Sequence, residues 1–426
     1  MKIFDNFRLL LSKGFIHLRY TPILGLAALI GLARIGIYAR LLNVDEFGLL
    51  SKLLLISSFF SVVGSFGFQL LAQRDLPTMF ALGRYRKGLV ILGKSGIITS
   101  LAALAMCLAP LFDLSPLNVP TEAFLFAILH GWAQQIFMLV VINSRSRLQM
   151  SRYSLQMLFR TLLSSAAAVI VGVMGKGGVS IVAAEAIITI LMAIVMIVYL
   201  LRTIGFSVPV FYKLCKKGFI KKEWYVSIVL LIGTTLAFLS TSADRWLAAD
   251  FLSGKEFGLY SFAWITLATA LSIQALLNAG LFPLISRGHV AGSNAFRMTT
   301  MVSGGLLIIG LITALIAHTL IIWIIPKWYP QYIDALPLFP PLLLAAAFRV
   351  SDFWSSYLII VHRHNSLLKT QFFLMLFPLL YYIFVSTGST SMQVPYNLTL
   401  LALFLAAGNY VINAFVAFTS RYKIAS

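Results

Sequence analysis

The stretch Glu46-Phe47-Gly48-Leu49-Leu50-Ser51 returns 210 positions later as Glu256-Phe257-Gly258-Leu259-Tyr260-Ser261, with five of the six residues identical. Each copy follows an apolar run that carries an arginine near its end, and each opens a second apolar run. A chain that restarts near its midpoint predicts two related halves, which is how many transport proteins form a central site. Both copies fall on the same predicted side of a membrane, so the repeat is parallel.

The composition is that of a membrane protein. Hydrophobic residues make up 60% of the chain and charged residues 11%, and the mean hydropathy is +0.93. Soluble domains are roughly half apolar and about a quarter charged. The net charge of +20 is explained by basic loops on one membrane face and not by nucleic-acid binding. With only Cys107 and Cys215 present, we expect no disulfide. The histidines are too few and too scattered for a metal site, and we expect no cofactor.

Twelve apolar stretches reach the length of about 20 residues that a membrane helix needs. They are predicted at 22–41, 48–72, 88–112, 121–142, 155–174, 178–201, 224–243, 257–282, 298–325, 337–361, 369–386 and 397–418. The predicted fold class is therefore an all-α polytopic membrane protein with two pseudo-symmetric six-helix lobes. The predicted divisions are a basic amphipathic helix at 1–20, an N-lobe at 21–201, a cytoplasmic basic linker at 202–223, a C-lobe at 224–420 and a cytoplasmic tail at 421–426.

The loop charges orient these spans. With both termini in the cytoplasm, the inside segments hold 23 Lys and Arg residues and the outside segments hold five. Cytoplasmic loops normally carry such an excess of positive charge. The segment 1–20 alternates apolar and basic residues at helical spacing, which predicts an interfacial helix on anionic membrane lipids.

The sequence does not favour an enzyme. The predicted outer loops are short, and no paired carboxylates or nucleophile with a histidine partner are evident. The stretch Gly88 to Ser95 matches the phosphate-loop pattern, but that pattern requires a strand before it and exposed glycine amides. Here it enters an apolar span, so we interpret the match as chance and predict no catalytic residues.

Arg34 and Arg349 are cations deep inside predicted spans. A charge at the membrane centre costs at least about 2.5–3.5 kcal/mol on insertion scales, so it normally faces a partner or a wet cavity. Guanidinium binds phosphate through two parallel hydrogen bonds, which suits an anionic substrate. Two alternatives remain open: Arg34 pairs with an acid on another helix such as Glu185, and Arg349 pairs with Asp352 three residues further along its own helix.

Three acids and one histidine in or next to the spans are candidates for proton or cation coupling, or for charge pairing. They are Glu185, Asp244, Asp352 and His130. Intramembrane ionisable residues usually have a functional partner. For His130 the alternative is a hydrogen-bonded contact between helices.

Three stretches carry a resemblance to a known family: Arg34 to Leu42 with Asp45 to Leu49, Ala243 to Leu247 with Glu256 to Ser261, and Phe282 to Arg287. On these residues the chain resembles the polysaccharide-transporter branch of the multidrug/oligosaccharidyl-lipid/polysaccharide (MOP) superfamily, the Wzx-type flippases of O-antigen and related glycans. The resemblance implies a MATE-like, V-shaped pair of six-helix lobes in the bacterial inner membrane. It also implies an undecaprenyl-diphosphate-linked oligosaccharide as substrate, a role in lipopolysaccharide biosynthesis, and a polysaccharide polymerase and chain-length regulator as partners. The driving force is left open between a proton or cation gradient and consumption of the product on the outer side.

The first span is also similar to that of lipid II flippases. Gly31-Leu32-Ala33-Arg34 and Ala39-Arg40 carry this likeness, and it implies that Arg34 lines the central cavity. Those proteins have an aspartate after the arginine, where this chain has Ile35, and they usually have two more helices. The competing hypothesis on the same fold is a cation-coupled exporter of small amphipathic drugs or metabolites.

Overall fold

The computed structural model describes residues 20–112, 116–204, 208–215, 221–290, 295–361, 363–386 and 394–424, and these residues form helices and connecting turns without a strand. The helices are α1 Thr21–Leu41, α2 Val44–Val63, α3 Phe68–Ala81, α4 Tyr85–Cys107, α5 Thr121–Ser146, α6 Met150–Val173, α7 Gly177–Ile204, α8 Val208–Cys215, α9 Lys221–Phe251, α10 Gly254–Val290, α11 Ala295–Trp328, α12 Phe339–Ser351, α13 Trp354–Ile360, α14 His364–Ser386 and α15 Val394–Ile424. Short 3₁₀ helices lie at Ala109–Phe112, Pro116–Asn118 and Pro330–Leu338. The predicted interfacial helix at 1–20 lies outside the described residues, apart from Tyr20.

Twelve helical segments among the described residues are long and apolar enough to cross a membrane, which confirms the all-α, twelve-span fold class. The second predicted span, 48–72, is wrong in its extent because α2 ends at Val63 and α3 begins at Phe68. Gly67 between them has φ +77, and a Cβ there would lie 2.0 Å from the carbonyl oxygen of Ser227. Only glycine combines that backbone conformation with so close an approach.

The tenth predicted span, 337–361, is also not one continuous helix. The helix α12 stops at Ser351, Asp352 has ψ 80, and α13 starts at Trp354. This break sits beside a predicted site residue. Backbone irregularity at membrane depth is tolerated where it is buried in protein or lines a cavity.

The seventh predicted span, 224–243, ends too early. The helix α9 continues to Phe251, so Asp244 and Arg245 lie in a helix and not in an outer loop. Both charges are accommodated by protein: the guanidinium of Arg245 lies 4.3 Å over the ring of Trp264, and Asp244 is hydrogen-bonded as described below. The charges therefore do not end the helix.

In both halves the repeated six-residue sequence lies at the start of a helix, directly after a two-residue turn. In the first copy the side-chain oxygen of Asn43 accepts from the backbone N–H of Glu46 at 2.8 Å. In the second copy Ser253 and Glu256 cap each other, with the Ser253 N–H donating to the Glu256 carboxylate at 3.0 Å. This is a reciprocal capping box. The phenylalanines Phe47 and Phe257 are fully buried behind the caps.

The chain divides into two compact units whose boundaries fall inside α1 and α9. The first unit is Leu29–Phe238; the second is Leu239–Ser426 together with the start of α1 up to Ala28. In the first unit α5 packs against α2 and α7, and in the second α12 packs against α10, α11 and α15. The stretch 202–223 contains the end of α7, the helix α8 and the start of α9.

Candidate functional site

Arg34 forms an ion pair in the first unit. Its Nη1 lies 2.8 Å from Oε2 of Glu185, joining α1 to α7, and the two side chains are 15% and 3% exposed. The interhelical partner that the sequence left open is therefore Glu185. A pair this buried is held by additional hydrogen bonds, since desolvation of the two charges otherwise cancels much of their attraction.

Both carboxylate oxygens of Glu185 accept further hydrogen bonds. The hydroxyl of Tyr38 donates to Oε1 at 2.6 Å, and Nε2 of His130 lies 3.2 Å from Oε2. Tyr38 was not among the predicted site residues. It lies four positions after Arg34 and so on the same face of α1. This spacing is the signal in the sequence that could have added Tyr38 to the predicted site.

His130 connects Glu185 to α2. Its Nδ1 lies 2.7 Å from the hydroxyl of Ser57, and the Gln134 amide lies 3.1 Å from Nε2. In the tautomer with the proton on Nε2, the ring donates to Glu185 and its Nδ1 accepts from the Ser57 hydroxyl. His130 is therefore a hydrogen-bonded contact between helices that also reaches the acid, and its role in coupling stays a prediction. We call Arg34, Tyr38, Ser57, His130 and Glu185 the Glu185 cluster.

A second guanidinium, Arg160, lies near this cluster. It sits 5.3 Å over the ring of Phe137, and its charge interacts with those of Arg34 and Glu185. The predicted span that contains Arg160 starts at residue 155. The helix α6 instead begins at Met150, which moves Arg160 deeper. The neighbourhood therefore holds two guanidinium groups for one carboxylate.

The other predicted residues lie in the second unit. Asp244 is 1% exposed and accepts from the Tyr260 hydroxyl at 2.6 Å and the Trp264 indole N–H at 2.9 Å. Arg349 is 6% exposed and donates from Nη2 to the backbone carbonyl of Ser240 at 3.1 Å. Its charge also interacts with those of Asp352 and Asp244.

The alternative ion pair of Arg349 with Asp352 along one helical face does not form, because α12 ends between the two residues. Asp352 Oδ2 instead accepts from the Ser355 hydroxyl at 2.7 Å and from the Asn409 amide at 2.6 Å. Asn409 is joined in turn to Asn413 and Gln371. The sequence analysis missed Asn409 and Asn413, whose four-residue spacing in an apolar helix is the signal that identifies them.

The structure thus brings Arg34, Glu185 and His130 together in the first unit and places Asp244, Arg349 and Asp352 in the second. Over the residues that the structure describes, no group of three or more His, Cys, Asp or Glu side chains is arranged to hold a metal ion. The phosphate-loop match, Gly88 to Ser95, lies wholly within α4, so its amides are committed to helical hydrogen bonds.

Twelve candidate membrane helices among the described residues define a polytopic membrane protein. Residues 19–289, more than half of the chain, match the model of the family described as "Polysaccharide biosynthesis protein". The chain belongs to this family, which is part of the MOP superfamily. The family resemblance inferred from the sequence is confirmed.

The fold is shared with solved MATE transporters. A multidrug resistance MATE family transporter of the MOP superfamily, in its inward-facing conformation, is 13% identical over 95% of this chain and 94% of that chain, with a TM-score of 0.61. A MATE transporter of Vibrio cholerae is 14% identical over 98% of each chain, with a TM-score of 0.63. At this identity the likeness concerns the fold. No curated protein matches the sequence.

Proposed function

We propose that this protein is a flippase that moves an undecaprenyl-diphosphate-linked oligosaccharide, such as an O-antigen repeat unit, from the cytoplasmic to the periplasmic leaflet of a bacterial inner membrane. Membership of the polysaccharide biosynthesis family supports a glycan-related cargo. The 23-to-5 distribution of basic residues supports cytoplasmic termini. The polymerase and chain-length regulator of the same glycan are the proposed partners.

One observation carries the proposal: the Glu185 cluster and its neighbour Arg160 hold two membrane-embedded guanidinium groups and one carboxylate. Arginine binds phosphate through a planar pair of N–H donors and stays protonated in a low-dielectric site. The Nε of Arg34 and the Nε of Arg160 have no hydrogen-bond partner among the described residues. These donors are suited to a diphosphate head group.

Glu185 competes with that head group for Arg34. While the carboxylate is ionised, it holds Arg34 at 2.8 Å. A phosphate that draws Arg34 away removes the cation that keeps Glu185 ionised, and protonation of Glu185 then prevents the ion pair from re-forming. The groups that face Glu185 are Arg34, Tyr38 and His130, with the charge of Arg160 nearby. Nε2 of His130 lies 3.2 Å from this carboxylate. A proton gradient then biases the two states through their different affinities for substrate.

The test is translocation of a fluorescent undecaprenyl-diphosphate oligosaccharide in proteoliposomes. Arg34→Lys keeps the charge but loses the paired donors, and we expect a loss of about tenfold or more in rate, from a difference of ~1.4 kcal/mol. Glu185→Gln is expected to transport without a response to an imposed pH gradient. Arg40→Ala is the matched control, since Arg40 lies on the same helix and is exposed.

Transport that is unchanged in Arg34→Lys and that keeps its pH response in Glu185→Gln contradicts the proposal. Each variant is compared with the native protein by thermal unfolding in detergent, so that a lost fold is separated from a lost site. This control matters because Arg34 and Glu185 also stabilise the packing of α1 on α7.

A second candidate, an exporter of small amphipathic cations, is favoured by the buried carboxylates Glu185 and Asp244. Carboxylates inside a membrane protein attract cationic substrates and coupling ions. The same vesicles loaded with a cationic dye distinguish the two. Dye export that requires Glu185, with no movement of the lipid-linked glycan, supports the exporter.

A further inference from the structure

An apolar groove of about 330 Å³ opens on the surface of the first unit between α4, α5 and α7. Leu89 and Leu92 of α4, Leu139 of α5 and Leu200 of α7 are among its lining residues. Leu101 at its edge is 60% exposed. The three helices belong to candidate membrane spans, so this surface faces hydrocarbon and the groove has the lining that an acyl chain requires.

One end of this groove is strongly basic. Arg86 lies three residues before Leu89 on the same face of α4, about 4.5 Å further along the axis. Arg84, Arg86 and Lys87 line a surface pocket of about 350 Å³ at the start of α4. On the neighbouring helix α3, Arg74 is paired with Asp75 at 2.7 Å.

Arg147 is held in place at this basic end. It is the residue that caps the C-terminal end of α5, seven positions after the groove residue Val140, so it lies where the groove face of that helix ends. Its guanidinium is 4.8 Å over the ring of Tyr85 and 5.2 Å over that of Phe80. Its Nε and Nη2 are buried without a hydrogen-bond partner among the described residues.

Two further features favour an anion here. Burial lowers the pKa of Arg147 and nearby Arg152 lowers it further, with Tyr85 partly offsetting both. An anion bound beside Arg147 would stabilise the charged guanidinium and so oppose this lowering of its pKa. The first turn of α4 has no side-chain cap, so its N–H groups and the positive end of the helix dipole also point to this region.

We propose that this groove and its basic end form a binding site for one anionic phospholipid. The phosphate lies against Arg86, Arg147 and the first turn of α4, and an acyl chain occupies the groove between α4, α5 and α7. The charge at the groove's end selects an anionic head group over a zwitterionic one. The occupant is a lipid of the leaflet at that end of the helices, and the site is independent of the transport substrate proposed above.

The test is native mass spectrometry of the full chain in detergent, titrated with phosphatidylglycerol or phosphatidylcholine of identical acyl chains. Each Lys or Arg near an anionic surface contributes roughly a factor of five in affinity. The double variant Arg86→Gln/Arg147→Gln is therefore expected to lose phosphatidylglycerol affinity about 25-fold. Arg147→Lys in place of Arg147→Gln restores part of it. Arg74→Gln removes one charge at a position already paired with Asp75, and it is expected to change little.

A second variant examines the groove without altering charge. A Cβ at Gly96 would lie 3.7 Å from Ile136 Cδ1, which is ordinary contact, so Gly96→Leu is accommodated while its side chain fills the groove. Phosphatidylglycerol binding is expected to fall in this variant. Thermal unfolding of each variant separates a lost site from a lost fold.

Three results overturn the proposal. Equal affinity of the native protein for the two lipids means that the basic end does not distinguish an anionic head group from a zwitterionic one. Full competition by millimolar inorganic phosphate, with no effect of Gly96→Leu, means an anion site without an acyl-chain site. Displacement of phosphatidylglycerol by equimolar undecaprenyl diphosphate means that the groove holds the polyprenyl tail of the substrate.

Discussion

Arg34 and Asp244 occupy equivalent positions in the two halves of this protein. Each lies 12 residues before the glutamate of the repeated phrase. Each also lies in a helix that ends seven residues later, at Leu41 and at Phe251. The repeat therefore places a cation in one half where it places an anion in the other. Arg34 is compensated by Glu185, whereas Asp244 is compensated by Tyr260 and Trp264, so the two halves have acquired different charge chemistry.

Removal of Arg34 is expected to destabilise the first unit. Arg34→Ala leaves the Glu185 carboxylate buried without its cation, a change that costs about 3–5 kcal/mol in buried pairs. Adding Glu185→Gln is expected to recover part of that loss. The measurement is a double-mutant cycle on the free energy of unfolding in detergent, with Arg40→Ala as control. Additive losses in the double variant would show that the two side chains are not coupled.

The hydroxyl of Tyr38 is expected to contribute measurably to the same cluster. Tyr38→Phe removes a 2.6 Å hydrogen bond to Glu185, and hydrogen bonds to charged groups contribute about 1.5–3 kcal/mol. Tyr381→Phe is the matched control, since the Tyr381 hydroxyl is buried without a hydrogen-bond partner among the described residues. Thermal unfolding should distinguish the two; equal effects would remove Tyr38 from the cluster.

Asp352 is expected to stabilise the break between α12 and α13. Asp352→Ala leaves Asn409 and Ser355 without their acceptor, and buried donors left unpaired cost about 1–3 kcal/mol each. Asp334→Ala, at an exposed position, is expected to stay within about 0.5 kcal/mol of the native protein. Hydrogen exchange of α13 is the local readout, and protection that persists in Asp352→Ala would contradict this role.

Gly131 is expected to set the distance between α5 and α2. A Cβ there would lie 2.7 Å from the backbone oxygen of Ser57, the residue whose hydroxyl contacts His130. Gly131→Ala must push the helices apart, at a cost of about 1–3 kcal/mol for an overpacked site. Gly304→Ala, in a position with open space, is expected to be neutral or slightly stabilising. The free energies of unfolding of the two variants test this contrast.

Cys215 is expected to react slowly with alkylating reagents. Burial raises its pKa to about 11 from 9.0, with Lys94 partly offsetting the shift. A two-unit rise lowers the thiolate fraction at pH 8 by about 100-fold, and the thiolate is the nucleophile. In a Cys107→Ala background, the maleimide rate should keep rising past pH 10. Leu82→Cys, at an exposed turn position, provides the fast reference.

The number of spans and the repeat could be predicted from the sequence because both depend on local properties. Apolar length determines whether a helix crosses a membrane, and the Asn43/Glu46 and Ser253/Glu256 caps act within four residues. Helix ends were less predictable. The helix α9 continues through Asp244 and Arg245 because residues that lie elsewhere in the sequence interact with these two charged side chains. The local sequence around Asp244 does not reveal such partners.

For the candidate site, too, some features could be predicted from the sequence and others depended on the tertiary structure. The sequence by itself determined that Arg34 and Glu185 are buried in a membrane, since each lies within a long apolar stretch. It also determined the class and family of the chain. Only the tertiary structure decided that α7 brings Glu185 to Arg34 across 151 positions, that α6 carries Arg160 alongside, and that Asp352 faces Asn409 and not Arg349. Such pairings depend on which helices pack together, and interhelical packing depends on side-chain shape over the whole fold and not on any single stretch.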